Sequence, residues 1–258
     1  MNSDEKIDIA IKRDYLVVKS NQLVQKSRYE LSLTEQRAVA YICSMIKPST
    51  KEVPYQLDYV FDIQQYAKVC GLYHLDGGKL YQDTRALLKR LMQKIIHVEM
   101  PDGDELLIAW LVRVHLNKRS GQIKIRLSED MAPFLFDLQE RFTAYGLLNI
   151  LAMKSQYSIR IYELLRSYAF RKEVTLDIED LKKRLMVDSV KSYTRFPDFR
   201  RKVLDPAMEE INEYTDISAS YEPITKGRKV IKIKFILRMK PPTERYMSYT
   251  KADSEVDS

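Results

Sequence analysis

Cysteine is nearly absent from this 258-residue chain: Cys43 and Cys70 are the whole complement, with no Cys-x-x-Cys pair and no Cys/His cluster. That argues against a disulfide scaffold and a structural zinc site, and it suits a reducing, cytoplasmic compartment. Glycine is scarce too, at seven residues, and none builds a phosphate-cradling loop. GxxxxGK[ST] and GxGxxG are both missing, which argues against a P-loop ATPase and a dinucleotide enzyme. The three histidines, His74, His97 and His115, have no ligand spacing and include no His-x-His pair. Seventeen tyrosines leave a tyrosine nucleophile formally open, but no cluster of activating groups accompanies them. No uncharged run reaches transmembrane length, and the charged Met1–Asp14 segment has no apolar core of signal-peptide type. The expectation is a cytoplasmic, unexported chain without catalytic centre, cofactor or metal.

What is present points toward an anionic partner. The chain is 45% hydrophobic, enough for one or two cores, and carries a net charge of +7. The distribution of that charge says more than the sum. Residues 226–240 hold seven Lys or Arg and no acid, while Glu209, Glu210, Glu213 and Asp216 lie just upstream. Such segregation suits a directional phosphate-binding edge.

One layout occurs twice, about 115 residues apart: Asp62-Ile63-Gln64-Gln65-Tyr66 and Asp177-Ile178-Glu179-Asp180-Leu181, each after β-prone residues (Tyr59-Val60-Phe61, Val174-Thr175-Leu176). Both aspartates are natural N-caps, accepting hydrogen bonds from the first free amides of a short helix. Around each, an amphipathic helix precedes, and a further helix and alternating strands follow. This is the order of a winged helix, and its repetition predicts a tandem α+β pair.

In the first copy, Tyr15-Leu16-Val17-Val18 reads as a strand, and a helix opens at Ser32 and is stopped by Pro48. Residues 79–94 form a recognition-helix candidate with Leu80, Thr84, Leu87, Leu88, Leu91 and Ile95 on one face and Gln82, Ala86, Lys89 and Gln93 on the other. The stretch Leu106–Val112 is apolar on both alternating faces. One face packs on its own domain; the other, with Leu107, Ala109 and Leu111, calls for cover by a second domain or a second subunit. Aromatic and apolar residues through Ser128–Leu151 predict a packed helical linker.

In the second copy, helix Lys154–Phe170 carries a core stripe of Ile159, Tyr162, Leu165 and Ala169 with a basic border of Arg160, Arg166, Arg171 and Lys172. Segment Phe196–Tyr214 is the second recognition helix. Phe199, Val203, Ala207, Ile211 and Tyr214 share one face, Arg201, Asp205, Met208 and Asn212 lie opposite, and Arg200 and Lys202 flank them. Pro206 predicts a kink. The basic half, Arg195 to Lys202, is suited to a major groove, where arginine grips guanine with two parallel hydrogen bonds. The turn Lys226-Gly227-Arg228-Lys229 leads into a strand with Ile231, Ile233 and Phe235 inward and Lys232 and Lys234 outward, a basic wing suited to phosphate or the minor groove.

Lys19-Ser20-Asn21, Leu31-Ser32-Leu33-Thr34-Glu35-Gln36-Arg37, Ser155-Gln156-Tyr157-Ser158-Ile159-Arg160-Ile161-Tyr162-Glu163-Leu164-Leu165, and Arg201-Lys202-Val203-Leu204-Asp205-Pro206-Ala207 with Glu210-Ile211-Asn212 resemble the iteron-binding plasmid replication initiator (Rep) proteins. The resemblance spans residues 15–240. It implies two related winged-helix domains joined by a long helix, and no catalytic centre. It also implies monomers that bind directly repeated origin sites and help open the duplex, and dimers that bind an inverted repeat and repress their own gene. Partners implied are double-stranded DNA and the host's initiator, replicative helicase and chaperones. By the same resemblance, DNA contact falls to Arg195, Arg200, Arg201, Lys202, Lys226, Arg228 and Lys229, with Lys79, Gln82 and Lys89 as secondary candidates, and dimerisation falls to the N-terminal domain.

The expected organisation is therefore a disordered segment 1–14, an N-terminal winged helix 15–130, a linker helix and C-terminal winged helix 131–240, and a disordered tail 241–258. A dedicated repressor of the same fold and a strand-nicking initiator are the alternatives. The missing His-x-His pair speaks against nicking.

Overall fold

The computed structural model describes residues 3–47, 56–72, 75–136, 138 and 141–258. Pro48 and His74 lie outside the described residues. The N-terminal half comprises α1 (Ser3–Arg13), β1 (Leu16–Ser20), α2 (Asn21–Lys26), β2 (Ser27–Arg28), α3 (Leu33–Ser44), β3 (Asp58–Asp62), α4 (Ile63–Val69), α5 (Gly77–Met92), β4 (Ile95–Glu99), β5 (Glu105–Ala109), β6 (Leu111–Leu116) and β7 (Gln122–Leu127). There follow α6 (Ala132–Leu135), β8 (Phe142–Gly146), α7 (Leu148–Leu151), α8 (Gln156–Ser167), β9 (Glu173–Asp177), α9 (Ile178–Arg184), α10 (Phe196–Phe199), α11 (Asp205–Tyr214), β10 (Ile217–Lys226), β11 (Lys229–Met239) and α12 (Pro242–Val256).

The repeat is physical. Asp62 Oδ1 accepts from the amides of Gln64 (2.8 Å) and Gln65 (3.1 Å), and Asp177 Oδ1 from those of Glu179 (2.9 Å) and Asp180 (3.3 Å). Each cap turns a strand into the short first helix of a helix-turn-helix, ahead of the recognition helix. The strand before each cap joins a three-stranded antiparallel sheet of the same order, β3-β7-β6 in one copy and β9-β11-β10 in the other. The first helix of the first copy, α3, starts with a capping box. The Ser32 hydroxyl accepts from the Glu35 amide, and the Glu35 carboxylate accepts from the Ser32 amide at 2.9 Å.

The stretch Leu106–Val112 differs from expectation. It is split between two sheets: β5 completes a sheet of order β2-β4-β5, whereas β6 belongs to the winged sheet. Trp110 sits at the break, buried edge-on against Tyr29 at 5.4 Å. The inward-outward alternation changes phase there. Leu107 is 56% exposed and Ala109 partly so, but Leu111 is 2% exposed and packs in its own core. Leu107, Ala109 and Leu111 thus do not form one outward face.

Among its described residues the connector contains no long helix. After α6 the chain returns to the N-terminus, and β8 pairs antiparallel with β1 from Leu16↔Gly146 to Ser20↔Phe142. Alternation in Phe142-Thr143-Ala144-Tyr145 favours a strand once β1 offers its edge, burying Thr143 and Tyr145.

The helix α8 is sealed between the two halves, and its basic border is solvated only in part: Arg171 and Lys172, beyond its end, are exposed, whereas Arg160 is buried. Glu163 Oε1 accepts from Lys19 Nζ and from the Tyr145 hydroxyl, each at 2.5 Å, and Glu163 Oε2 from Arg160 Nη1 at 3.3 Å. Arg160 also donates to the Tyr29 hydroxyl and lies 4.1 Å over its ring. Burial alone would raise the Glu163 pKa, but Lys19 and then Arg160 more than offset it, so the carboxyl is held below its usual range. Arg166 pairs with Asp216 at 3.0 Å.

Both ends of the chain, expected to be disordered, are helical. Arg13 at the end of α1 is buried and pairs with Asp253 (2.5 Å) and Asp257 (2.6 Å), while its Nε donates to the Val69 carbonyl at 3.1 Å. The acids of the tail therefore have a specific cation to meet, and Ala252 and Val256 are buried beneath them. Val256 covers Gly71, whose φ of 70° and crowding (an added Cβ would collide with the Val256 carbonyl oxygen) leave no room for a side chain.

Candidate nucleic-acid interface

The second recognition helix is continuous from Phe196 to Tyr214 but passes through a π turn at Arg200–Leu204. Asp205 donates its amide to the Arg200 carbonyl, five residues back. This wider turn takes the place of the expected kink: it lies immediately before Pro206, whose ring and missing amide would disturb an ordinary α turn. Phe199, Val203, Ala207, Ile211 and Tyr214 are buried as the periodicity predicted. Met208, placed on the outer face by a uniform 3.6-residue period, is buried as well. The extra residue of the π turn shifts the phase downstream, and Met208 turns toward the wing strand β10.

Arg195, Arg200, Arg201 and Lys202 all reach the surface. The arginines are not bare cations. Arg201 Nη2 lies 3.1 Å and Arg195 Nε 3.9 Å from Asp198, and Arg200 Nε lies 3.2 Å from Asp205. Asp205 raises the Arg200 pKa further. The second oxygen of Asp205 accepts from the Tyr221 hydroxyl at 2.5 Å, joining the helix to β10; burial and then this carboxylate push the tyrosine pKa up to about 12.

The wing is a ribbon. β9 supports β11 only from Lys232 to Ile236, so the hairpin beyond Lys232 projects without a third strand. A register shift at Ile224/Thr225 and Gly227, with φ of 62°, shape its tip. Residues 222–229 are all exposed, and among the described residues Lys226, Arg228 and Lys229 have no ion pair. Of the two outward lysines of β11, Lys234 pairs with Glu173 at 2.7 Å.

In the first copy Lys79, Gln82 and Lys89 are exposed along α5, whose N-terminus is capped by Asp76. Its wing is not the β4–β5 hairpin that follows α5 but β6–β7, whose tip at Gly121 reads as a hairpin turn in the sequence but whose Lys118 and Arg119 were not among the candidates. Asn117 Oδ1 accepts from the amides of Arg119 (3.0 Å) and Ser120 (3.2 Å), presenting exposed Lys118 and Arg119. The signal was Asn117-Lys118-Arg119-Ser120-Gly121 between alternating strands, the counterpart of Lys226-Gly227-Arg228-Lys229. The candidate dimer residues lie elsewhere. Leu107 and Ala109 share the outer face of β4–β5 with exposed Ile95, while Leu111 is inside.

Among the described residues, no group of three or more His, Cys, Asp or Glu is arranged to hold a metal, and no helix is long and apolar enough to cross a membrane. Cys43 and Cys70 are buried free thiols whose pKa values burial pushes up to about 11 and about 12.

Two copies of helix, strand, capped helix, recognition helix and hairpin define a tandem winged-helix protein. Two family models match in the same order: "Initiator Replication protein, WH1" matches residues 16–166, running through α8, and "Initiator Rep protein, WH2" matches residues 177–237. The chain belongs to this initiator Rep protein family. A replication initiation protein of Escherichia coli is 26% identical over 212 residues, covering 79% of this chain and 64% of that protein. The PI protein of Escherichia coli is 27% identical over 186 residues, covering 62% of this chain and 60% of that one. The chain thus spans somewhat less than two thirds of the length of these relatives. The solved structure of the Pi initiator protein in complex with iteron DNA shares the fold, with a TM-score of 0.68 at 22% identity, covering 88% of this chain and 98% of that one. Helices α1 and α12 lie outside both family matches.

Proposed function

We propose that this protein is a plasmid replication initiator that binds directly repeated duplex sites at an origin, helps open the adjacent DNA and recruits the host's initiator and replicative helicase. The observation that carries this reading is the C-terminal winged helix, with an arginine-lined recognition helix beside a wing whose Lys226, Arg228 and Lys229 have no ion pair among the described residues. The relative solved with iteron DNA, itself a Pi initiator, supports it. Arg195, Arg200, Arg201 and Lys202 would address base edges and nearby phosphates, and the two wing tips and α5 would address backbone. The action is non-catalytic and cytoplasmic: assembly on DNA supplies the free energy for opening. A dimer formed through the N-terminal domain, with Leu107, Ala109 and Ile95 as its apolar face, would match an inverted repeat and repress the gene.

A plasmid whose only origin is the DNA flanking this gene, with the gene supplied from a second replicon, tests the proposal. Maintenance that requires the intact protein, and is lost with Arg200→Ala/Arg201→Ala, supports initiation. Repression of a reporter without any plasmid maintenance would instead favour the dedicated repressor.

A further inference from the structure

We propose that Arg200 is the guanine-reading residue of the second recognition helix and that Asp205, locked by Tyr221 from the wing, positions it. This rests on the reading that the helix enters a duplex groove.

The geometry begins with the π turn. Residues five apart in an α-helix stand about 140° apart around the axis, five steps of roughly 100°, and their side chains diverge. The Arg200–Leu204 π turn brings positions 200 and 205 onto one side, so Arg200 Nε meets Asp205 Oδ2 at 3.2 Å. The other oxygen takes the Tyr221 hydroxyl at 2.5 Å, so the carboxylate cannot swing away. Tyr221 stands opposite Phe235 in the hairpin, at the root of the wing. One carboxylate therefore fixes the guanidinium plane and ties it to the wing, while the Arg200 side chain stays 59% exposed and keeps most of its five donors for a ligand.

Charge selects the ligand. A carboxylate 3.2 Å from the guanidinium repels an anionic phosphate approaching the same group far more strongly than it repels the uncharged O6/N7 acceptor edge of guanine. A phosphate contact needs no fixed plane, whereas a bidentate base contact does. Arg201 lacks this support. Its Nη2 is engaged by Asp198 in an i,i+3 surface pair, and among the described residues no ion pair ties that acid to another element. Holding the fork before DNA arrives removes an ordering cost from binding.

The test uses a duplex selected by the wild-type protein from a random-sequence library, together with each of its single-base-pair variants and a random duplex. Asp205→Asn should weaken binding to the selected duplex by roughly 10-fold, leave the random duplex unchanged or slightly tighter, and flatten the preference at one G·C pair. Tyr221→Phe should act in the same direction more weakly. Arg200→Lys should flatten the same base pair, and adding Asp205→Asn to it should cost nothing more. Two outcomes would overturn the proposal while leaving the proposed function intact: an unchanged base profile in Asp205→Asn and Tyr221→Phe, or preferences that fall alike at all positions. Failure of the wild-type protein to select any duplex would overturn both.

Discussion

Glu163→Gln removes the one carboxylate that two buried cations share, without changing side-chain size. Glu163 is 1% and Lys19 3% exposed, and Arg160 is buried beside them, so the variant leaves positive charge in the interior with no counter-ion. Breaking a buried pair in this way costs about 3–5 kcal/mol, a large share of a total stability of about 5–15 kcal/mol. At about 2–4 °C per kcal/mol for a chain of this size, the melting temperature should fall by about 6–20 °C in scanning calorimetry. The pH dependence has a definite sign. The folded pKa of Glu163 is lowered from its usual 4.5, so its contribution is complete above that value and is lost as pH falls through the folded pKa. The gap between wild type and variant should therefore close in acid. Lys19→Met/Glu163→Leu, which removes charges of both signs, should be more stable than Glu163→Gln. A loss below about 1 kcal/mol at neutral pH, or a double variant worse than Glu163→Gln, would refute the view that α8 is held between the halves by this cluster.

Arg228→Ala/Lys229→Ala should lower the slope of log K against log salt by about 0.9 for each phosphate no longer neutralised, on selected and random duplex alike, and an unchanged slope would remove the wing from the interface. Leu107→Glu should shift dimer to monomer in analytical ultracentrifugation with little loss of folding stability. Leu111→Glu should instead destabilise the monomer by several kcal/mol, because it buries an unpaired carboxylate. Lys240 Nζ donates to the carbonyls of Asn212 and Thr215 at the end of α11 and to Ser248 of α12, and burial brings its pKa down to about 8. The unfolded chain then binds more protons between about pH 8 and 10, so stability from this residue should rise with pH across that window, and Lys240→Met should abolish that rise in urea titrations.

What was legible in the sequence was local. Asp62 and Asp177 cap helices with amides two and three residues away, and the Gly227 turn with its alternating strand specifies the wing within about ten residues. What was not legible depends on distant partners. The pairing of β8 with β1 joins residues more than a hundred positions apart, and the acidic tail folds because Arg13 waits at the other end of the chain. The inward turn of Leu111 follows from Trp110 dividing one apolar run between two sheets, which alternation within the run does not reveal. At the proposed interface, the cationic residues of both recognition helices and of the second wing were readable as residue types. Their restraint by Asp198 and Asp205 was not, since the Arg200–Asp205 pair requires a π turn that no 3.6-residue pattern announces.

Whether the C-terminal winged helix reads the sequence of duplex DNA is decided by titrating the wild-type protein at one fixed salt concentration. The two targets are a duplex carrying a direct repeat from the DNA beside its gene and a random duplex of equal length. Binding to the repeat should be at least about 10³-fold tighter, and that preference should vanish when Arg200 and Arg201 are both changed to Ala. Equal affinity for the two duplexes, or a preference that survives that double change, would show that sequence is read elsewhere or not at all.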